Sequence, residues 1–308
     1  MHAPGNQRIA YYNSTYLPEG EIRIPYRDRG FLLGDGVFDM TRTFGGRIFR
    51  IEQHVERLFE SLRALRIDPG HTPEELVEIS CTVLERNRHQ LDETRDFWVA
   101  QRISRGVNAV GDEGWPEQGA TVIVECLPLP LKQRAVYYAE GIDLLLSPVR
   151  RTAPDALTPR AKTANYLNLI YANQAVATNS PNAYTVLLDH KGDLCEGLGA
   201  NLFLVKDGVL KTPRDQFVLP GISRACVIEL AEGLGMDVLR CDLDLHDAYN
   251  ADELFLTSTS LCIVPVRSFA GAPVGDGAIP GPVTQRLTDA YIEHVGFDFV
   301  RQYLAWLD

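Results

Sequence analysis

Residues Asn201–Thr212 read NLFLVKDGVLKT, and their reading decides the fold. Two apolar runs flank Asp207-Gly208, the dipeptide of a tight hairpin turn whose central residues take positive φ. A hairpin makes its two strands antiparallel neighbours, which a regular doubly wound sheet does not do. Working outward, VLPGISR (218–224) is a Pro-Gly turn feeding a helix, SRACVIELAEGLG, closed by Gly233 or Gly235. ELFLTS is a strand, and PVTQRLTDAYIEHVG is a helix opened by Pro282. Upstream, IDLLLSPV and AYTVLLD read as strands, with a helix over about 163–178 between them. Strands, helices and hairpins mixed in this way predict an α+β (mixed α/β) fold.

The first half has the same character. Residues 20–50 alternate between turns and strand-like runs: EIRIPY, RGFLLGDGVFDMTRTF and GGRIFRI, with a hairpin at Gly45-Gly46. Ile51, Val55, Leu58, Leu62 and Leu65 recur at helical spacing, so 51–66 is an amphipathic helix ended by Pro69-Gly70. A second helix begins at Thr72-Pro73 and runs to about Asn87. FWVAQRIS and TVIVEC are strands joined by a Gly-rich loop from Gly106 to Gly119. LPLPLKQRAV (127–136) marks a composition shift. The expected organisation is an N-terminal α/β domain over 1–130, a linker over 131–136 and a larger domain over 137–308.

With 308 residues, 45% hydrophobic and 23% charged, the chain has an ordinary globular composition and room for two domains. It contains no apolar run long enough to span a membrane and no signal-peptide pattern at its start. The net charge of −11 disfavours nucleic-acid partners. The six cysteines form no CxxC pair, and the seven histidines form no HExxH, so neither a disulfide framework nor a metal site is expected. Reduced, buried thiols and a cytoplasmic setting follow.

No GxGxxG, P-loop or GxSxG appears; Gly197-Leu198-Gly199 lacks the third glycine and precedes a strand. Four stretches carry chemistry only when taken together. PRAKTANYLN contains Lys162. DLCEGLGANLF places Glu196 in a glycine-rich turn before a strand. VLPGISR puts Ser223 at a helix start, and LTSTSL (256–261) offers four hydroxyls after a strand. Singly, each has a plain reading: a solvated lysine, a turn residue, an N-cap, a polar loop. Jointly, the helix start at Ile222 and Ser223, with Ser258, Thr259 and Ser260, can hold a phosphate. A lysine beside it can form a Schiff base with pyridoxal phosphate, and a carboxylate such as Glu196 can keep the pyridine nitrogen protonated.

The order RAKxxNYLN, EGxxxNLFxVKDGVLxTP, LPGIxR and DELFxTSTxxxIxPV, with DRGFLLGDGVFDMTRTFGGRIFRIEQHVERL upstream, resembles the class IV, fold type IV, pyridoxal-phosphate aminotransferases. The resemblance covers about residues 18–300. It implies that Lys162 is the Schiff-base lysine and proton carrier, and that Glu196 pairs with the pyridine nitrogen. It implies that Arg57 contacts the phosphate with Ile222, Ser223 and Thr259, that Leu219 packs on the ring, and that Tyr166 meets the phenolic oxygen. KTANY is one residue shorter than the same stretch in many branched-chain enzymes. The family further implies two domains, pyridoxal 5'-phosphate as cofactor, and a homodimer or higher homo-oligomer.

The expected reaction is transamination between a hydrophobic, branched-chain-type amino acid and a 2-oxo acid. Phe38 and Arg42 in VFDMTR match the branched-chain pattern; Phe38 suits an apolar side chain, and Arg42 either helps hold a carboxylate or is a structural strand arginine. Branched-chain enzymes often carry YIR in the strand ending SRG, whereas WVAQRISRG places Trp98 and Ala100 there. Arg102 or Arg105 is the available substitute, and Arg105 sits where D-amino acid transaminases use an arginine. Trp98, Arg105 and Ser260 therefore join the substrate-binding candidates. D-amino acid or (R)-amine transamination is the alternative, and aminodeoxychorismate lyase the second.

Overall fold

The structure, a computed structural model, describes residues 7–92, 94–108, 118–176, 178 and 180–307. It divides into two compact units, Met1–Leu129 with Ala161–Asn165, and Pro130–Arg160 with Tyr166–Asp308. Residues 109–117 of the expected Gly-rich loop, and position 177 within the expected 163–178 helix, lie outside the described residues.

The first unit contains β1 (Ile9–Tyr12), β2 (Thr15–Pro18), α1 (Arg29–Leu33), β3 (Gly36–Phe44), β4 (Arg47–Ile48), α2 (Ile51–Leu65), α3 (Pro73–Asn87), β5 (Phe97–Ser104) and β6 (Thr121–Pro128). The strands form one sheet in the order β2-β1-β6-β5-β3-β4, antiparallel throughout. Alternation divides it into two faces. Val37, Phe97, Val99, Ile103, Val122, Val124 and Cys126 form one core with Val55, Leu58 and Leu62 of α2 and Leu76 and Val83 of α3. Each apolar side chain buried there contributes about 1.5–3 kcal/mol. Phe38, Met40, Trp98, Arg102, Glu125 and Leu127 stand on the opposite face, where all are half-buried. α3 starts on a capping box: Thr72 accepts from Glu75 N, and Glu75 accepts from Thr72 N.

The RGFLL stretch, expected to be strand-like, is instead the short helix α1. Asp28 caps it by accepting from Gly30 N at 2.7 Å, and also accepts from the hydroxyls of Ser104 and Thr121.

The second unit contains α4 (Leu131–Glu140), β7 (Ile142–Leu146), α5 (Leu167–Gln174), β8 (Ala183–Leu188), β9 (Leu194–Gly197), β10 (Ala200–Lys206), β11 (Val209–Pro213), α6 (Ile222–Gly233), β12 (Val238–Cys241), α7 (Leu245–Tyr249), β13 (Glu253–Ser258), β14 (Cys262–Phe269), β15 (Ala272–Pro273), α8 (Pro282–Val295) and α9 (Phe299–Leu304). Its sheet runs β12-β11-β10-β13-β14-β7-β8-β9, and β9 pairs back onto β10, closing a ring of strands. The β10–β11 hairpin turns at Asp207-Gly208, both at positive φ. The parallel pairs β7–β8, β7–β14 and β11–β12 sit among antiparallel ones, as a mixed α+β fold requires.

Two boundaries differ from the sequence reading. Residues 131–136 are not a linker but the start of α4, which follows Pro130 directly. The helix expected from 163 begins at Leu167, because residues 161–165 pair with β3 and join the first unit.

Candidate active site

Lys162 is set on the edge of β3 by backbone pairing. Phe38 N donates to Lys162 O at 3.0 Å, Ala164 N donates to Gly36 O at 2.8 Å, and Val37 and Thr163 form an antiparallel bridge. Lys162 N donates to Ser61 Oγ at 2.9 Å, while the Ser61 hydroxyl donates to Arg57 O, four residues back in α2. The half-buried side chain brings Nζ to 4.4 Å from the centroid of the Phe38 ring. A strand edge and a helix therefore fix the backbone of this lysine, which is not a solvated helix-start residue.

Arg57 is buried, and Asp39 orients it. Its Nε donates to Asp39 Oδ2 and its Nη2 to Asp39 Oδ1, both at 2.8 Å, a bidentate pair. His54 Nδ1 lies 2.7 Å from the same Oδ1. Burial alone would raise the Asp39 carboxyl, but Arg57 and His54 outweigh it and hold the group well below the usual carboxylate range. Burial lowers the His54 imidazole, and the nearby charges of Arg57 and Lys162 add to that effect against the opposing pull of Asp39. A neutral His54 therefore donates Nδ1–H to an ionised Asp39. His54, Arg57 and Ser61 follow one another at i, i+3 and i+7 on the buried face of α2.

Two candidate substrate arginines are spent elsewhere. Arg42 is fully buried; its Nε donates to Thr43 O, its guanidinium lies 4.1 Å from the Phe44 ring centroid, and Asp96 is 3.7 Å away. It is fully buried among these groups. Arg105 binds Asp35 through Nε and Nη2 at 2.8 and 3.0 Å and donates to the carbonyls of Leu65 and Arg66 at the end of α2. It caps that helix through these carbonyls, whereas the sequence expectation places it at a substrate carboxylate. The same Asp35 accepts from Arg29, which ties α1 to the start of β3. Trp98 is cross-strand from Arg42 on the half-buried face that carries Phe38.

In the second unit, Glu196 lies in β9 rather than in the turn after it, and is buried. Its Oε1 accepts from Arg151 Nε at 2.8 Å and its Oε2 from Leu219 N at 2.9 Å. Asn168 accepts from Thr152 N and donates to Arg150 O, fixing the chain beside Arg151. Asn201 Nδ2 donates to Leu219 O, so Leu219 is held through both its N–H and its carbonyl.

α6 begins at Ile222 with Gly221 as its N-cap and no side-chain cap, so Ser223 is the second helical residue and not the cap itself. The motif arginine Arg224 turns to Asp215 and Pro213 O. Ser258 ends β13 and accepts from Leu261 N, and Ser260 Oγ accepts from Arg134. Thr259, between them, and Tyr166, before α5, are half-buried.

Sequence reasoning missed Asp39, His54, Ser61, Arg151 and Asn201. A signal existed for His54 and Ser61: polar residues at helical spacing inside an otherwise apolar face. Nothing local marks Arg151, whose partner lies 45 residues on. Among the described residues, no group of three or more His, Cys, Asp or Glu could hold a metal, and no helix is long and apolar enough to cross a membrane.

Comparison with known proteins gives a consistent picture. Residues 36–269 match the family described as amino-transferase class IV. The chain is 31% identical over 289 residues to the branched-chain-amino-acid aminotransferase of Escherichia coli K12, covering 91% of each chain. It is 26% identical over 289 residues to the D-alanine aminotransferase of Staphylococcus aureus, covering 92% of this chain and 97% of that one. Its fold is similar to the crystal structure of the branched-chain amino acid aminotransferase from Thermobaculum terrenum in its PLP-bound holo form. That match has a TM-score of 0.81 and 27% identity, and covers 98% of this chain and 97% of that one.

Proposed function

The chain belongs to the class IV aminotransferases, and on that premise we propose that it moves amino groups between a hydrophobic, branched-chain-type amino acid and a 2-oxo acid. Pyridoxal 5'-phosphate is the cofactor. When bound, it supplies an aldehyde carbon for the amino group and an electron-withdrawing ring that weakens the donor's α C–H bond.

The residues fit that group. With Gly221 as N-cap, no side chain caps the first turn of α6, and a Cβ at that position would lie 2.1 Å from Asn201 Oδ1. The N–H groups of Ile222 and Ser223, with the Ser258–Thr259 turn, would hold the phosphate in the second unit, and the family resemblance adds Arg57. Glu196, with Arg151 and Leu219 N fixing its oxygens, would keep the ring nitrogen protonated. Leu219 would pack on the ring and Tyr166 would meet the phenolic oxygen. Lys162 Nζ takes the α-proton and returns it, and its backbone bonds limit where that amine can travel.

The observation that carries this reading is the position of Lys162, pinned to β3 and α2 with its amine over Phe38. Phe38, Met40 and Trp98 give the same sheet face an apolar surface suited to a branched aliphatic side chain. The similarity to branched-chain relatives, above that to the D-alanine enzyme, supports the same choice. Transamination of D-amino acids or (R)-amines is the second reading, because Ala100 stands where an arginine is common and Arg42 and Arg105 are engaged elsewhere.

Purified protein should be yellow and should transaminate L-leucine with 2-oxoglutarate faster than D-alanine or (R)-1-phenylethylamine. Lys162→Ala should abolish both turnover and the cofactor's lysine-dependent absorbance band. Wild-type rates in that variant would refute the lysine's role.

Assembly as a homodimer or higher oligomer belongs to the same proposal, as does a cytoplasmic setting. No disulfide links the six cysteines, four of which are buried.

A further inference from the structure

The α-carboxylate of an amino acid needs a cationic partner, and two arginines offered for it by the sequence are committed to protein groups. Arg102 is differently placed. It stands cross-strand from Phe38 on the half-buried face of the first unit's sheet, with its Cζ 5.7 Å from the Phe38 ring centroid. The same ring lies 4.4 Å from Lys162 Nζ. The Phe38 ring therefore has both groups within reach, the Lys162 amine from the chain paired to one edge of β3 and the Arg102 guanidinium from β5 on the other.

The orientation of Arg102 is also fixed. Its Nε donates to Glu125 Oε1 at 2.6 Å, and Glu125 stands opposite Ala100, diagonal to Arg102 on the same face. Ala100 is fully buried and carries only a methyl group, so the ion pair runs diagonally past a small side chain. Among the described residues, Nε is the one nitrogen of Arg102 that donates to the protein. The Nη1/Nη2 edge, which matches a carboxylate bidentately, is left for a ligand. In Arg105, by contrast, Nε, Nη1 and Nη2 all donate to protein oxygens.

We propose that Arg102 is the residue that binds the substrate carboxylate in this chain, with Glu125 as the positioning residue that holds its Nε and leaves the Nη1/Nη2 edge for the ligand. The assignment deepens the transaminase reading and rests on it for the identity of the ligand, an amino acid or 2-oxo acid. Because Glu125 offsets the charge of Arg102, the site selects carboxylates by fork geometry more than by net charge.

The test compares two leucine-shaped probes on the holoenzyme by calorimetry: 4-methylvalerate, which carries the carboxylate, and 4-methylpentanamide, which does not. Arg102→Leu is expected to weaken 4-methylvalerate roughly 10- to 100-fold, the range for loss of charge-assisted hydrogen bonds, and the amide far less. Arg102→Lys should recover part of the loss. In turnover, KM for leucine should rise more than kcat falls, and preference for leucine over 3-methylbutylamine should shrink by a similar factor. Arg102→Met, which preserves the aliphatic stem, replaces the Leu variant if that one folds poorly. Equal 4-methylvalerate affinity in variant and wild type, or equal losses for acid and amide, would overturn the assignment. If wild-type protein transaminates no amino acid, the functional reading fails, while the two-probe comparison still decides the role of Arg102.

Discussion

At the scale of single residues, the candidate site depends on polar groups buried in pairs. Asp39 and Arg57 are both buried, so solvent can do little to replace either partner. Removing one member of such a pair strands a charge and costs about 3–5 kcal/mol. Asp39→Ala should therefore lower the urea-unfolding free energy by that amount, while a surface substitution such as Glu52→Ala should change it little. A loss below about 1 kcal/mol would show that the pair is not the anchor its geometry suggests. The same residues set a pH dependence. Asp39 is depressed below 3.8 in the fold, so its contribution is complete above that value and is lost as pH falls through the folded value. His54 is depressed below 6.5, so on acidification the unfolded chain takes up this proton before the folded one does. Stability should decline already below pH 6.5 and more steeply below 3.8. In His54→Gln the decline just below 6.5 should flatten, read as the urea midpoint against pH. An unchanged profile would remove His54 from the account.

At the scale of elements, α6 joins fold to site most directly. Gly221→Ala places a Cβ 2.1 Å from Asn201 Oδ1, so either Asn201 or the helix start must move. Asn201 holds Leu219, and Leu219 N in turn donates to Glu196, so the shift reaches the groups assigned to the cofactor. Apo-protein titrated with pyridoxal phosphate should show at least roughly tenfold weaker binding in this variant, about the loss of one hydrogen bond to a charged group. Unchanged affinity would mean that the phosphate is held elsewhere. Elements governed by local rules were readable from the sequence: α2 by its apolar period, α3 by Thr72-Pro73 and its capping box, and the β10–β11 hairpin by Asp207-Gly208. Elements governed by distant partners were not. The backbone at Lys162 is non-helical because it pairs with Gly36 and Phe38, more than 120 residues earlier, against a helical local composition. Prolines before residue 131 suggested a linker, yet Pro130 immediately precedes a helix, where its missing N–H has little consequence. For Arg42 the sequence left a structural role open without naming its partner, and for Arg105 it offered only a charge, since Asp96 and Asp35 lie 54 and 70 residues away.

At the scale of the whole molecule, each unit presents apolar side chains that a lone chain would leave in water. In the first unit α1 buries none of its residues: Phe31 is 74% exposed, with Leu32, Leu33 and Tyr26 exposed nearby. In the second, Leu167 is 75% exposed, and Ile170 and Tyr171 are exposed on the same short helix, α5. Asp28 anchors α1 through Gly30 N and two hydroxyls, so its exposure is imposed by the fold. Apolar clusters of this kind mark association surfaces, and full burial of each such side chain contributes about 1.5–3 kcal/mol. The protein should therefore sediment as a dimer or larger at micromolar concentration. Phe31→Glu with Leu33→Glu should weaken that association at least about tenfold, because truncating or charging central apolar anchors removes most of an interface's energy. Leu167→Glu tests the α5 surface separately. Neither surface contains a group assigned to cofactor or substrate, so the variants should retain their secondary structure by circular dichroism. A wild-type protein that sediments as a monomer, or double-glutamate variants that assemble as wild type does, would rule out these helices as the contact.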